Sequence, residues 1–159
     1  LALLGQTPEW TSALGRLRPL TQPGVVPAAL DALVDATVTR YERWAHGSPV
    51  MLVHAATGPR AAALVLPALP TQMWLGTYHT AWAVAAAISA AYRPSSPTPA
   101  ASDAERAATT AEDVSDLAVA TGDEHAIKFV EVAQESHRRG NRHALPAAAR
   151  AAILIPADD

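Results

Sequence analysis

The sequence predicts an all-α fold, an irregular array of helices, and three observations carry that expectation. Hydrophobic residues make up 50% of the chain but aromatic ones only 5%, so the surplus is alanine, which favours helix over strand by intrinsic propensity. Apolar residues recur three and four apart over long stretches, which is the spacing of one helix face. Proline, glycine and capping residues break those stretches where helices would start and stop. At 159 residues the chain has the size of one ordinary domain and can bury a core. Residues 1–159 therefore read as a single helical domain or as the C-terminal portion of a longer one. The opening Leu1-Ala2-Leu3-Leu4-Gly5 has neither an initiator Met nor the basic start of a signal peptide, so a fragment or processed, cytoplasmic chain is expected.

Taken in order, Pro23-Gly24-Val25-Val26-Pro27 reads as a turn with Pro27 at a first helical position. Leu30, Leu33, Val34, Val38, Tyr41 and Trp44 follow at helical spacing, giving a first amphipathic helix that stops near His46-Gly47-Ser48-Pro49. The apolar run Val50-Met51-Leu52-Val53 before His54 fits strand or helix by period. Thr57-Gly58-Pro59 offers a new helix start, and a short helix from Ala61 toward Leu69 meets Pro67 and Pro70 as breakers. From Met73 to Tyr92 the stripe Trp74, Tyr78, Ala81, Ala85, Ile88, Tyr92 marks the clearest helix. Residues 94–101 are rich in proline and serine and read as an exposed loop that serves as a linker, a lid or a cleavage site. Two capping-box patterns follow, Ser102 with Glu105 and Thr109 with Glu112; a helix starts at one of them and runs toward Thr121 until Gly122 stops it. Asp123 can cap the next helix, which ends with Arg138 and Arg139 before Gly140, and a last short helix spans Pro146 to Ile153.

A formal charge of −3 supplies no basic field for a phosphate backbone, so nucleic acid is not an expected partner. The longest apolar run, Ala81 to Tyr92, falls well short of the ~20 residues that span a bilayer, and no membrane span is expected. The absence of cysteine excludes disulfides, thiolate ligands and a Cys nucleophile, leaving His and oxygen to hold any metal.

Of twelve Lys plus Arg, eleven are Arg and only Lys128 is Lys. Lys128 stands three residues after His125, so the two share a helix face, flanked by Glu124 and Glu131. An amine that has lost its proton by burial can add carbon dioxide and become an anionic carbamate ligand, which Arg cannot do. A chance or structural hydrogen-bonding pair explains the same spacing.

Gly122-Asp123-Glu124-His125-Ala126-Ile127-Lys128-Phe129-Val130-Glu131 resembles the Asp-Glu-His-x-Ile-Lys segment near the end of questin oxidase-like proteins. Val53-His54-Ala55-Ala56-Thr57-Gly58-Pro59 is similar to their His-x-x-Thr-x-Pro segment. Leu66-Pro67-Ala68-Leu69-Pro70 and the stretch from Ala81-Trp82 to Ala90-Ala91-Tyr92 resemble the family's Leu-Pro run and its following helix, so the likeness covers roughly Pro27 to Ile153. It implies the C-terminal part of a larger, mainly helical oxygenase that acts on aromatic polyketides such as anthraquinones, by oxygen insertion or carbon–carbon bond cleavage. Some relatives look like non-haem iron enzymes, and the carry-over then makes His54, His125 and Lys128 metal ligands, Lys128 as the carbamate, for iron (Fe²⁺). Family members are longer, and their N-terminal part supplies further His. The resemblance thus implies a missing N-terminal part or partner polypeptide, and an exposed apolar face on this chain alone. The metal-free rival is an NADPH-dependent Baeyer–Villiger oxidase, although the chain has no Gly-rich dinucleotide motif. The non-catalytic rival is a helical interaction module.

Each candidate also has a plainer explanation. His54 and His125 are ligands or core histidines bonded to backbone. Tyr78, His79 and Trp82 line a pocket for an aromatic small molecule or simply fill the core. Asp123 and Glu124 orient a ligand or cap the helix, and capping is the cheaper account. His46, His137 and His143 sit beside Gly, Arg or Asn and are expected on the solvated surface, without a role.

Overall fold

Proline and capping chemistry set the helix boundaries. The structure, a computed structural model, describes residues 19–155; the opening segment Leu1-Ala2-Leu3-Leu4-Gly5 lies outside the described residues. After a 3₁₀ turn at Pro23–Val25, α1 runs Val26–Trp44 with a proline in its first turn. α2 runs Pro49–Val65, α3 Trp74–Ala91, α4 Asp103–Ala108, α5 Ala111–Thr121, α6 Glu124–Arg138 and α7 Ala144–Leu154. Among the described residues the regular structure is helical throughout, with no strand. The all-α expectation holds.

The largest difference from the sequence reading lies in α2. Val50 to Val53 and Ala61 to Val65 belong to one helix that passes straight through Thr57-Gly58-Pro59. Thr57 does not cap; its hydroxyl donates back to the Val53 carbonyl at 3.2 Å. An interior proline costs about 3 kcal/mol, but burying Leu52 and Val53 alone returns about 3–6 kcal/mol, and Ala55, Ala56 and Pro59 are buried as well. Pro67 and Pro70 do end the helix, through a 3₁₀ turn at Leu66–Ala68. The fusion also makes Pro49–Ala68, of mean hydropathy 1.3, long and apolar enough to cross a membrane by length and composition, contrary to the expectation that no such stretch exists. Here one face of it packs against α1, α3 and α6, and its Arg60 forms an ion pair with Glu135 of α6, while Leu64 and Val65 remain exposed.

The two capping boxes are used separately. Ser102 and Glu105 open α4, while α5 is opened by Thr110 and Asp113, one residue beyond the expected Thr109 and Glu112. Gly122 ends α5 at φ 67 and Gly140 follows α6 at φ 95, backbone conformations that side chains with a Cβ rarely adopt.

The core forms where α1, α2, α5, α6 and α7 meet. Val34, Val38 and Tyr41 of α1 pack with Leu52, Val53 and Ala56 of α2, Phe129 and Ala133 of α6, Val114 of α5 and the alanines of α7. The Tyr41 and Phe129 rings lie 4.0 Å apart between centroids, and burial pushes the Tyr41 hydroxyl pKa well up. Ala144, Ala147, Ala148 and Ala151 are fully buried, so the alanine excess also lets α7 approach its neighbours closely. A smaller cluster of Val26, Leu30 and Leu66 is covered by Trp74 and Tyr78.

Two polar hubs tie distant segments together. Asp35 of α1 accepts from Ser136 and Arg139, and Asn141 donates to its backbone carbonyl. Glu42 is fully buried, accepts from the Ala101 N–H at 2.6 Å and has His143 Nδ1 2.6 Å away. His143 is therefore an internal partner of a buried carboxylate, a correction to its expected solvated position, because α1 and the start of α7 meet there. His46 is exposed, its Nε2 at 3.0 Å from the Ser96 carbonyl, and His137 is exposed as expected. Residues 94–101 are irregular and mostly exposed, yet they are strapped down. The Thr98 N–H donates to the Arg43 carbonyl and Arg43 Nε donates back to the Thr98 carbonyl, Arg150 donates to the Thr98 hydroxyl and the Pro99 carbonyl, and Glu42 accepts from the Ala101 N–H. The segment is an exposed loop tethered to α1 and α7.

Candidate functional site

Helix α6 starts at Asp123, whose carboxylate accepts from the His125 N–H at 2.7 Å and the Ala126 N–H at 3.4 Å. The same oxygen lies 3.1 Å from His125 Nδ1. Desolvation pushes the Asp123 pKa up, but the His125 N–H, its ring and the Ala126 N–H together outweigh it and hold the group below its ordinary value. Asp123 thus caps the helix and fixes the ring, two roles the sequence reading set against each other. With Nδ1 engaged, Nε2 is the ring nitrogen left for a ligand, the arrangement that carboxylates give metal-binding histidines.

α2 packs across α6 and brings His54 to the same place. The His54 and His125 rings sit 5.3 Å apart between centroids at 89°, edge to face. His54 is exposed and His125 half-buried. Residues 71 positions apart in sequence are therefore neighbours.

Lys128 is placed differently from the expectation. Its Nζ donates to Glu124 at 2.6 Å, and the two side chains are 57% and 67% exposed. The ion pair holds the Glu124 carboxyl below its ordinary range. An ammonium in water with a carboxylate partner lacks the desolvation that carbamate formation requires. The reason is register: α6 turns Ala126, Phe129 and Val130 inward and Ile127, Lys128 and Glu131 outward.

Further along α2, this helix and α3 leave an open apolar groove of about 690 Å³, within the size range of small-molecule sites; neither His54 nor His125 lines it. Gly58, one helical turn after His54, lines it with Ala62 of α2 and Thr77, Thr80 and Val84 of α3. A Cβ at Gly58 or Gly76 would meet no atom within 4 Å, so these glycines widen the groove. Tyr78, His79 and Trp82 do not line it. Tyr78 packs in the small cluster, its hydroxyl pKa raised by burial. The half-buried His79 leaves Nε2 without a hydrogen-bond partner among the described residues, and Trp82 lines a second groove toward α1. The stripe Thr77, Thr80, Val84, at spacings of three and four, was present in the sequence but overshadowed by the larger aromatic residues.

Two imidazoles with an orienting carboxylate suit iron as part of a ligand set. Among the described residues no group of three or more His, Asp or Glu is arranged to hold a metal ion, and the exposed Lys128, paired with Glu124, adds nothing to the two imidazoles. Comparison with protein-family models, with curated proteins and with solved structures gives no match. The questin oxidase-like resemblance therefore rests on the segments around His54 and His125 and those between them.

Proposed function

We propose that this chain is part of an oxygenase-type oxidoreductase acting on aromatic polyketides, in which His54 and His125 are imidazole ligands to a non-haem iron shared with a part beyond this chain. The observation that carries the proposal is the edge-to-face approach of His54 and His125 with Asp123 on His125 Nδ1. Iron held there would supply dioxygen activation, for oxygen insertion or carbon–carbon bond cleavage. Asp123, at Nδ1, keeps the His125 ring oriented and leaves Nε2 as the nitrogen for the metal. The α2–α3 groove offers a planar apolar ring a surface one turn from His54, and a covering part would exclude water from both. Lys128, exposed and paired with Glu124, has no part in this reading.

The second reading is a helical interaction module. It is favoured by the apolar face that Leu64, Val65, Met73 and Val84 expose along α2 and α3, and it needs no metal.

Oxygen consumption by the intact assembly with an anthraquinone separates the two. His54→Ala and His125→Ala should each lower turnover at least ~100-fold while Lys128→Arg leaves it near wild type. Full turnover in both His variants would reject the proposal.

A further inference from the structure

The groove between α1 and α3, about 380 Å³ in volume, combines two guanidinium groups with two indoles: Arg40, Arg93, Trp44 and Trp82. Arg40 Cζ lies 5.1 Å from the Trp44 ring centroid and Arg93 Cζ 5.6 Å, so both cations are neighbours of the same indole. Arg40 Nη1 donates to the Ser89 hydroxyl at 3.1 Å, a neutral partner. Among the described residues neither guanidinium is paired with a carboxylate, a condition they share with Arg43, Arg138, Arg142 and Arg150, while Arg60, Arg106 and Arg139 are paired; what sets Arg40 and Arg93 apart is their common indole neighbour. The chain is not short of acid, with 15 Asp plus Glu against 12 Lys plus Arg, yet no acidic side chain lines this groove. Arg40 is half-buried, and that burial lowers its pKa, the direction expected where partial desolvation is not offset by a counter-charge.

We infer that this groove binds a small planar aromatic carboxylate, the carboxylate held by Arg40 and Arg93 and the ring laid against Trp44 and Trp82. Arginine presents paired N–H donors that match a carboxylate's two oxygens, and the indoles give a flat apolar surface for the ring. A free inorganic anion would gain only the first of these contacts and a neutral arene only the second. The site shares no residue with the His54–His125 pair, so it stands or falls independently of the proposed iron chemistry.

The test uses 2-naphthoate as the probe, titrated by calorimetry into the chain, with the indole N–H signals of Trp44 and Trp82 followed by NMR. Saturable binding that moves both signals is expected, at least tenfold weaker in Arg93→Gln and in Arg40→Gln, and at least tenfold weaker for the neutral 2-naphthylmethanol. Arg93 is exposed at the rim, so its variant keeps the test valid if the more buried Arg40→Gln fails to fold. Unchanged affinity in Arg93→Gln, equal binding of the neutral alcohol, or displacement by an equal concentration of inorganic phosphate would each overturn the inference.

Discussion

Replacing Glu42 by Ala should be among the most damaging substitutions outside the apolar core. The side chain is fully buried and serves three groups at once: the Ala101 N–H and His143 Nδ1, each at 2.6 Å, and Arg106 Nη1 at 3.9 Å. Removing one partner of a buried charged pair costs about 3–5 kcal/mol, because the groups left behind stay desolvated and unpaired. That is a large share of the ~5–15 kcal/mol that holds a domain folded. Glu42→Gln keeps one acceptor oxygen and the side-chain shape, so its cost should fall to about 1.5–3 kcal/mol. Urea unfolding followed by circular dichroism measures both, and with a slope of about 2 kcal/mol per molar Glu42→Ala should lower the midpoint by roughly 1.5–2.5 M. Limited proteolysis should then cut within residues 94–101 first, since Glu42 anchors that strap at Ala101. A Glu42→Ala protein within about 1 kcal/mol of wild type would refute the reasoning.

Phe129→Ala, which empties a fully buried site against Tyr41, should cost about 3–5 kcal/mol in the same unfolding assay. Gly47→Ala places a Cβ 2.7 Å from the Tyr92 carbonyl oxygen and should cost about 1–3 kcal/mol, read as a lowered midpoint. Asp123→Ala removes a cap and the His125 orienter together; it should cost about 1 kcal/mol and weaken ferrous-iron binding by the assembly about 10–100-fold in an anaerobic titration. Acid should unwind the α4–α5 region. The Ser102 N–H and hydroxyl hold Glu105, and the Thr110 hydroxyl and N–H hold Asp113, below their ordinary pKa values. A lowered folded pKa means that the stabilisation is present above the unfolded value and is lost as pH falls through the folded one, here below about pH 4. Hydrogen exchange of the Glu105 and Asp113 amides, corrected for its intrinsic pH dependence, should show protection that is constant above that range and falls below it.

Much of the helical frame was legible because helical spacing reports burial directly. Leu30, Val34, Val38 and Tyr41 are all buried on α1, and Gly122, Asp123 and Gly140 end, cap and end helices where their chemistry places them. The continuity of α2 was not legible, because a local rule reads Pro59 as a start, whereas burial on three neighbouring helices decides the outcome. Glu42 went unnoticed for a related reason: one acid within an amphipathic helix looks like a solvated face until Ala101 and His143, far along the chain, close over it. At the candidate site the helical register of His125 and Lys128 was readable. Their surroundings were not, since the approach of His54 depends on how α2 crosses α6, and Lys128's exposure depends on which side of α6 faces the core.

The central claim is that His54 and His125 belong to an iron site, and metal content tests it most directly. The intact assembly, purified without added metal or chelator, is analysed by mass spectrometry for first-row metals. The account predicts about one iron per chain, lost on replacing either histidine. An assembly that is metal-free as purified and takes up no ferrous iron would contradict it.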